Sequence, residues 1–482
     1  MKKIAIMLAA VLICICVPQP LTASQLEADI EQFREFVFSM HPKFSYTELT
    51  ELERNVEMGI AFNYALDNLI KQLPYINSDF QLRVELQRAV AILRDNHFFI
   101  PLDEAGKQLL LPLGMRWLSD GFYLIATDEG FEEALNTRLI SINGYCIYDI
   151  FEDFKSFWSV ENIYNARASF ANELNNPAIL KALGLFDADY YTVFTFENLD
   201  GDTVKISLNK HNKTATNIDN SLLAPRGQMI YVNPFDEGGF YIPDGVLWFD
   251  YMEDYSILYI RLEMYFREIC WESFAFTFPG EVKAAFDELS PRAVVIDARD
   301  NPGGDYQPFI ELFEFLAENV DEGRLFHIIN ENSLSAALVA AAHLKNLGAV
   351  VLGQPSGQNT DFYGFFGFTA SSHFQEVFEM LLEFENISLD TIINANINYE
   401  TIPMSIYDAL KRLDCFNYVS LTPEITLHYS GIRISVPNMF VSAALADFYA
   451  LRPHITINHT IYHWIDNTDP ALEYILNKIL AF

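Results

Sequence analysis

AVVIDARDNPGGD, residues 293–305, is the stretch on which the fold turns. Its apolar start reads as a buried strand, Asn301-Pro302-Gly303-Gly304 as a turn, and the residues beyond as the start of a helix. The same alternation runs outward in both directions. SILYIRL (256–262) reads as a strand and FPGEVKAAFDEL (278–289) as a helix before it. After it come a helix in YQPFIELFEFLAENV (306–320), a strand in LFHII (325–329), a helix in SAALVAAAHLKNL (335–347) and a strand in AVVLG (349–353). Strands alternating with helices mean an α/β core, expected over 246–482. A helical insertion is expected at about 373–415, ahead of closing strands in ITLHYSGIRISVPN (425–438).

Two further regions precede this core, in keeping with a chain of 482 residues that exceeds what one core usually serves. Residues 24–96 carry helical spacing, as in QLRVELQRAVAIL (81–93), and few turn residues, so a small helical domain is expected. It closes on RDNHFFIPL (94–102), which places His97 at an expected helix-to-strand junction. Residues 97–245 read as mainly β: GMRWL, GFYLIAT, LISING, YYTVFTF and a hairpin in NLDGDTVKISL. Within them NTRLISINGYCIYDIFEDF (136–154) resembles the strand-turn-strand-helix of a PDZ-like module, whose use is to take an extended peptide onto a sheet edge.

Composition narrows the function. Hydrophobic residues form 51% of the chain and charged residues 20%, the balance of a folded globular protein. With 65 acidic against 31 basic residues and a net charge of -34, nucleic acid is excluded as an expected partner, because phosphate is bound by clustered Lys and Arg. The acidic residues form no block and read as a solvated anionic surface. Lys2 and Lys3, an apolar run from Ile4 to Val17, and Thr22-Ala23-Ser24 read as a signal peptide over 1–23, so a secreted or envelope location is expected. The run is shorter than the roughly 20 residues of a bilayer span, and no later stretch is long enough, so no stable membrane span is expected. Cys146, Cys270 and Cys415, which would remain, show neither a disulfide framework nor metal-ligand spacing.

Two local patterns can carry chemistry. Gly303-Gly304 exposes backbone N–H groups, which suits a developing oxyanion, although a Gly-Gly turn after a strand is commonly structural alone. The turn lacks the lysine and spacing of a nucleotide-phosphate loop. In LFHIINENSLSAALVAAAHL (325–344), Ser333 reads as a helix N-cap, leaving Ser335 inside the first turn. There the helix dipole favours an alkoxide and the Ala336 N–H is a second oxyanion donor, whereas a serine opening a helix is most often a cap or packing residue. His327, His343, His454, His459 and His463 read as structural or surface histidines, without the carboxylate or thiolate company a metal would need.

In order along the chain, LRDNH (93–97), DARDNPGG (297–304), SLSAA (333–337), GQPSG (353–357) and RPHITINHTIYHWIDNTDPALEYIL (452–476) resemble the motifs of the tail-specific, or carboxy-terminal-processing, serine protease family and its tricorn-core and retinoid-binding relatives. The resemblance implies a crotonase-like ββα core and peptide-bond hydrolysis through an acyl-enzyme, with no cofactor and no metal. It implies Ser335 as nucleophile, Gly303, Gly304 and Ala336 around the oxyanion, and His97 as general base. The Ser-Lys branch of the family carries a lysine after the glycine-proline loop, but GQPSGQNTDFYG (353–364) has none, which loads the base role onto His97. His97 as a plain hydrogen-bonding residue stays open. Gln354, Asn96, Phe98 and His454 depart from the family pattern, and the group orienting the base is left unassigned, Asp95 being adjacent in sequence only. The expected function is an exported serine endopeptidase acting on extended or unfolded polypeptide. Its rivals are a non-catalytic peptide- or ligand-binding protein on the same scaffold and, more remotely, an acyl-thioester enzyme.

Overall fold

The structure is a computed structural model that describes residues 21–45, 52–102, 110–187, 190–209, 211–212, 247–265, 274–304, 306–364, 423–443, 445 and 447–480. The apolar run of the expected signal peptide and the insertion expected at 373–415 lie outside the described residues. The fold is mixed α/β, with helices and several sheets.

The N-terminal helices α1 (Ala23–Met40), α2 (Leu52–Gln72) and α3 (Asp79–Ala91) bury Phe33, Phe62, Leu86 and Val90 in one core. Thr22, read in the sequence as part of a processing site, caps α1: its hydroxyl accepts the Gln25 N–H and the Gln25 side chain accepts the Thr22 N–H. His97 lies in a turn beyond α3, and no strand begins there, which corrects the expected helix-to-strand junction. The aromatic and branched residues after it serve a different purpose. Phe98 and Ile100 are fully buried in the helical core, and the Ile100 N–H donates to Gln87 Oε1 (2.7 Å).

The middle region holds β1 (Gly114–Leu118), β2 (Gly121–Ala126), β3 (Arg138–Ile142), β4 (Tyr145–Cys146), β5 (Thr192–Glu197) and β6 (Thr203–Leu208). They form an antiparallel sheet in the order β1-β2-β3-β5-β6, with β4 paired to β3. α4 (Ile147–Phe157) falls where the strand-turn-strand-helix reading of 136–154 placed a helix, whereas α5 (Ile163–Glu173) and α6 (Pro177–Ala182) correct the expectation of a mainly β region. Asn162 and Asn176 start the latter two by accepting the Asn165 and Ala178 N–H groups.

The third region is a six-stranded sheet ordered β16-β11-β10-β9-β8-β7. It comprises β7 (Leu247–Met252), β8 (Ile257–Leu262), β9 (Ala293–Asp297), β10 (Leu325–Ile329), β11 (Val350–Gly353) and β16 (Ile455–Thr456), parallel except at the β7 edge. Side chains alternate across the pleat, so Val294 and Ile296 of β9 face one core while Ala293 and Val295 face another. The first face is covered by α7 (Phe274–Leu289), α8 (Ile310–Asn319) and α9 (Ala336–Asn346); the second takes Leu472 and Ile475 from the terminal helix α11 (Pro470–Leu480), which follows the short α10 (Ile461–Ile465). Burial on both faces is why these strands are apolar throughout. Two smaller pairs complete the fold, β12 (Asp361–Gly364) with β15 (Met439–Ser442), and β13 (Glu424–Thr426) with β14 (Arg433–Ser435). The latter hairpin, expected to close the α/β core, instead packs Ile432, Ile434 and Val436 on the N-terminal helices. Its turn is held by the buried Asp29 carboxylate, which accepts the Tyr429 and Ser430 N–H groups at 2.8 and 2.7 Å.

At the end of β9 the chain commits a buried charge. Asp297 accepts from Tyr259 Oη (2.5 Å), Arg261 Nη1 (2.9 Å), and the backbone N–H, Nε and Nη2 of Arg299. Arg299 reaches on to Asp469 (2.6 Å), whose other oxygen caps α11 by accepting the Ala471 N–H. Burial pushes the Asp297 carboxyl up, but Arg299 and then Arg261 more than reverse it, holding it well below the usual carboxylate range. A depressed acid stabilises the fold at neutral pH, and that contribution is lost only as the pH falls below the ordinary carboxylate range. Asp297→Ala strands Arg261 and Arg299 and is expected to cost about 3–5 kcal/mol in urea unfolding at pH 7. A loss under about 1 kcal/mol would contradict this role.

Candidate functional site

Asn301 joins the glycine turn to both its neighbours. It is fully buried, donates from Nδ2 to Leu262 O at the end of β8 (2.9 Å), and accepts the Leu334 N–H at its own carbonyl (2.9 Å). Its Oδ1 accepts the Gly303 N–H (2.9 Å), so that group, expected as an oxyanion donor, is already engaged. The glycines are required on steric grounds. Gly303 has φ +112, and a Cβ there would stand 2.6 Å from Ser335 Cβ and 3.0 Å from Ala336 N. Gly304 has φ +118, and a Cβ would overlap Tyr265 O at 1.3 Å.

Ser335 sits at the N-cap position of α9 with φ 51 and ψ -122, and its side chain makes no capping bond. Ser333, expected as the cap, is spent elsewhere: its hydroxyl donates to Ala298 O (2.7 Å) and accepts the Asn330 N–H (3.1 Å). Positive φ at a non-glycine residue stores strain, and it leaves the hydroxyl at the positive end of a helix without a capping duty. Ala336 opens α9, its N–H against Gly303.

His97 is brought to the same place. Its backbone N–H donates to Asp95 Oδ1 (3.0 Å) and its ring stacks on Phe362 at 5.8 Å. The link to Ser335 is Gln358, which the sequence did not single out. Gln358 is fully buried; its Oε1 accepts the Ser335 N–H (2.5 Å) and its Nε2 lies 3.3 Å from His97 Nδ1. The same nitrogen donates toward Asn96 Oδ1 and Glu161 Oε1, each at 3.1 Å. Glu161, from the middle region, also accepts the Asn359 N–H (2.9 Å). Burial, then the nearby Asp95 charge, push its carboxyl up to about 8. Asp95 is opposed by burial, but a 3.0 Å contact with His41 Nε2 and neighbouring positive charge hold it below its ordinary value. Burial lowers the pKa of His97 from the usual histidine value, and Asp95 only partly offsets this.

Gln358 carries a weak sequence signal, a polar residue in the loop where a lysine was sought. Glu161 and His41 carry none, since neither belongs to a pattern near a motif. Asp95, His97 and Glu161 place ligand-capable atoms within 4.8 Å of one another. The remaining histidines hold structural positions. His327 donates from Nδ1 to Ile296 O (3.0 Å) with its pKa lowered to about 4 by burial, His343 packs near Tyr306 and Phe313, and His463 accepts the Thr460 N–H. His454 Nδ1 accepts the Val351 N–H, and Gln354 donates to Ile457 O. A pocket open to solvent is lined by Arg116, Tyr164, Asn330, Gln354 and His459 among others, and neither Ser335 nor His97 lines it.

No family model matches the chain, and no curated protein does. Solved structures do. Mature CPAF complexed with lactacystin aligns with a TM-score of 0.54 at 12% identity, over 95% of this chain and 99% of that one. Mature CPAF alone gives 0.53 at 13%, over 95% and 98%. The photosystem II D1 C-terminal processing protease aligns more loosely, at 0.38 and 10%, over 91% and 94%. The chain therefore has the fold of mature CPAF along nearly its whole length.

Two predictions follow from packing and charge. Gly304→Ala should lower thermal stability most, Gly303→Ala less, and Gly348→Ala least. Gly348 also has positive φ (+96) but open space around its Cβ position, so only about 1 kcal/mol of backbone strain applies there. Equal losses would remove the packing role of the turn. Because the folded-state pKa of Glu161 is raised, its share of stability falls as pH climbs from the ordinary carboxylate range to about 8. Glu161→Gln should flatten the stability-pH curve in that window, read by urea midpoints at pH 5 and pH 8.

Proposed function

We propose that the chain is a serine peptidase, with Ser335 as nucleophile and His97 as general base, hydrolysing extended polypeptides through an acyl-enzyme on a crotonase-like core. The observation that carries this is the strained Ser335 at the start of α9, uncapped, pressed on Gly303 and tied through one Gln358 amide to His97. The order of family-like motifs and the CPAF fold support the same reading.

In the reaction, Ser335 Oγ attacks a carbonyl carbon while the imidazole takes its proton. His97 Nδ1 is 3.9 Å from Asp95 Oδ1, so a proton on Nδ1 faces a carboxylate and leaves Nε2 with the lone pair for the serine. Asp95, itself braced by His41, is then the positioning residue that sequence left unassigned. The oxyanion is met by the Ala336 and Gly304 N–H groups, with Gly303 contributing its missing side chain rather than its N–H. Protonated His97 gives its proton to the leaving amine, and water then cleaves the ester in the reverse sense. A PDZ-like role for the β1–β6 sheet supplies a place for an extended peptide. Export is supported by Lys2, Lys3 and the apolar run behind them, and among the described residues no helix is long and apolar enough to cross a membrane. A non-catalytic binding protein is the second reading, favoured by the 3.9 Å gap between His97 Nδ1 and Asp95 Oδ1.

Labelling with a fluorophosphonate probe separates the two. Wild type should label, Ser335→Ala should not, and His97→Ala should slow labelling by roughly 100-fold or more. Neutral imidazole is the active form and its pKa is lowered, so the acid limb of the labelling rate should fall below pH 6.5. Folded wild type that stays unlabelled up to mildly alkaline pH would turn the assignment to the binding protein.

A further inference from the structure

The space between His97, Glu161 and Asp95 brings two buried carboxylates and an imidazole together. Gln358 Nε2 gives its two hydrogens to Asn96 Oδ1 and Glu161 Oε1, each at 3.1 Å, and lies 3.3 Å from His97 Nδ1. Asp95 Oδ1 lies a further 3.9 Å from His97 Nδ1. Asp95 and Glu161 are both buried, and the groups donating to Glu161 are neutral: the Gln358 amide and the Asn96 and Asn359 N–H groups. Two buried carboxylates beside an imidazole, one of them met by neutral donors, mark a point where a full positive charge would replace partial ones.

We infer that Asp95, His97 and Glu161 form an inhibitory zinc site, occupied in competition with the base function of His97. One imidazole and two carboxylates suit a borderline cation such as Zn²⁺, with water or the Gln358 Oε1 as a fourth ligand. Ligand atoms within 4.8 Å of one another need to close by at most about 1.5 Å to reach the ~3.3 Å separation of a tetrahedral shell. Outer contacts that orient a metal ligand are already in place, with His41 on Asp95 and the Asn359 N–H on Glu161. The His97 side chain is 20% exposed, which gives the ion a way in. Occupation by Zn²⁺ removes the imidazole lone pair and turns the Gln358 amide, releasing its oxygen from the Ser335 N–H. The inhibitory half of this inference rests on the peptidase reading; the binding half does not.

Isothermal titration calorimetry of the full chain with ZnCl₂, after chelator treatment and its removal, tests it. Wild type and Ser335→Ala should each bind one equivalent, and Glu161→Gln and His97→Gln should each weaken binding at least tenfold. X-ray absorption of the wild-type complex should show nitrogen and oxygen ligands only, which keeps the test decisive should a variant fail to fold. Zn²⁺, but not Mg²⁺, should suppress fluorophosphonate labelling of wild type, with recovery on adding chelator. Absence of stoichiometric binding, sulfur ligation from the exposed Cys146, or undiminished binding by both folded variants would overturn the site. Binding without any labelling would leave the site standing and remove the peptidase reading; labelling without binding would do the reverse.

Discussion

Asp297 and the three side chains around it fix the shape of everything that follows β9. A carboxylate with no exposure needs compensation for the water it gives up, and here that comes from two guanidinium groups and a phenol. An apolar cluster of equal volume could match the stability. It could not set the turn, because Arg299 donates its backbone N–H to Asp297 as well as its side chain, so the chain must reverse at that residue. The second carboxylate, Asp469, carries the constraint to α11, which explains why an Asp-Pro step near the end of the chain accompanies an Asp-Ala-Arg step in its middle.

From that reversal the site is assembled by short polar ties. Asn301 pulls the Leu334 backbone onto the glycine turn, Ser333 ties to Ala298, and Asn330 donates to Asp300. Ser335 is held between these ties and the start of α9, in a backbone conformation its own preferences oppose. Gly303 is the counterpart of that strain, since any side chain there would displace the serine it faces.

What was legible in the sequence was local. A buried strand, a Gly-Gly turn and a serine opening an Ala-rich helix are each written within a dozen residues, and the alternation around them announces the parallel sheet. Contacts between distant segments were not legible. Gln358 meets Ser335 and His97, Glu161 meets Gln358, and His41 meets Asp95, from three separate parts of the chain, and none sits at a spacing that marks it. Local signals also misled where two functions use one residue type. FFIPL looks like a strand because aromatic and branched residues also anchor a core, and Ser333 looks like a cap because a hydroxyl that binds a carbonyl 35 residues away leaves no trace in sequence. The β13–β14 hairpin has ordinary strand chemistry, and contacts from distant residues, the Asp29 carboxylate among them, decide that it joins the N-terminal helices.

The loop without a lysine changes the charge balance of the site rather than emptying it. A serine that gives up its proton leaves positive charge on His97 and negative charge at the oxyanion. Asp95, ionised and braced by His41, favours the first; a second ionised carboxylate at Glu161 would oppose the second. With its pKa pushed up to about 8, Glu161 is neutral at pH 7, and the site then carries one negative charge beside the imidazole instead of two. The neutral amide of Gln358 is consistent with that balance, since it bridges serine and histidine without adding charge. A cation drawn to the same acceptors would ionise Glu161 and consume the imidazole together, so the features that favour proton transfer at neutral pH are also those that make the site sensitive to metal.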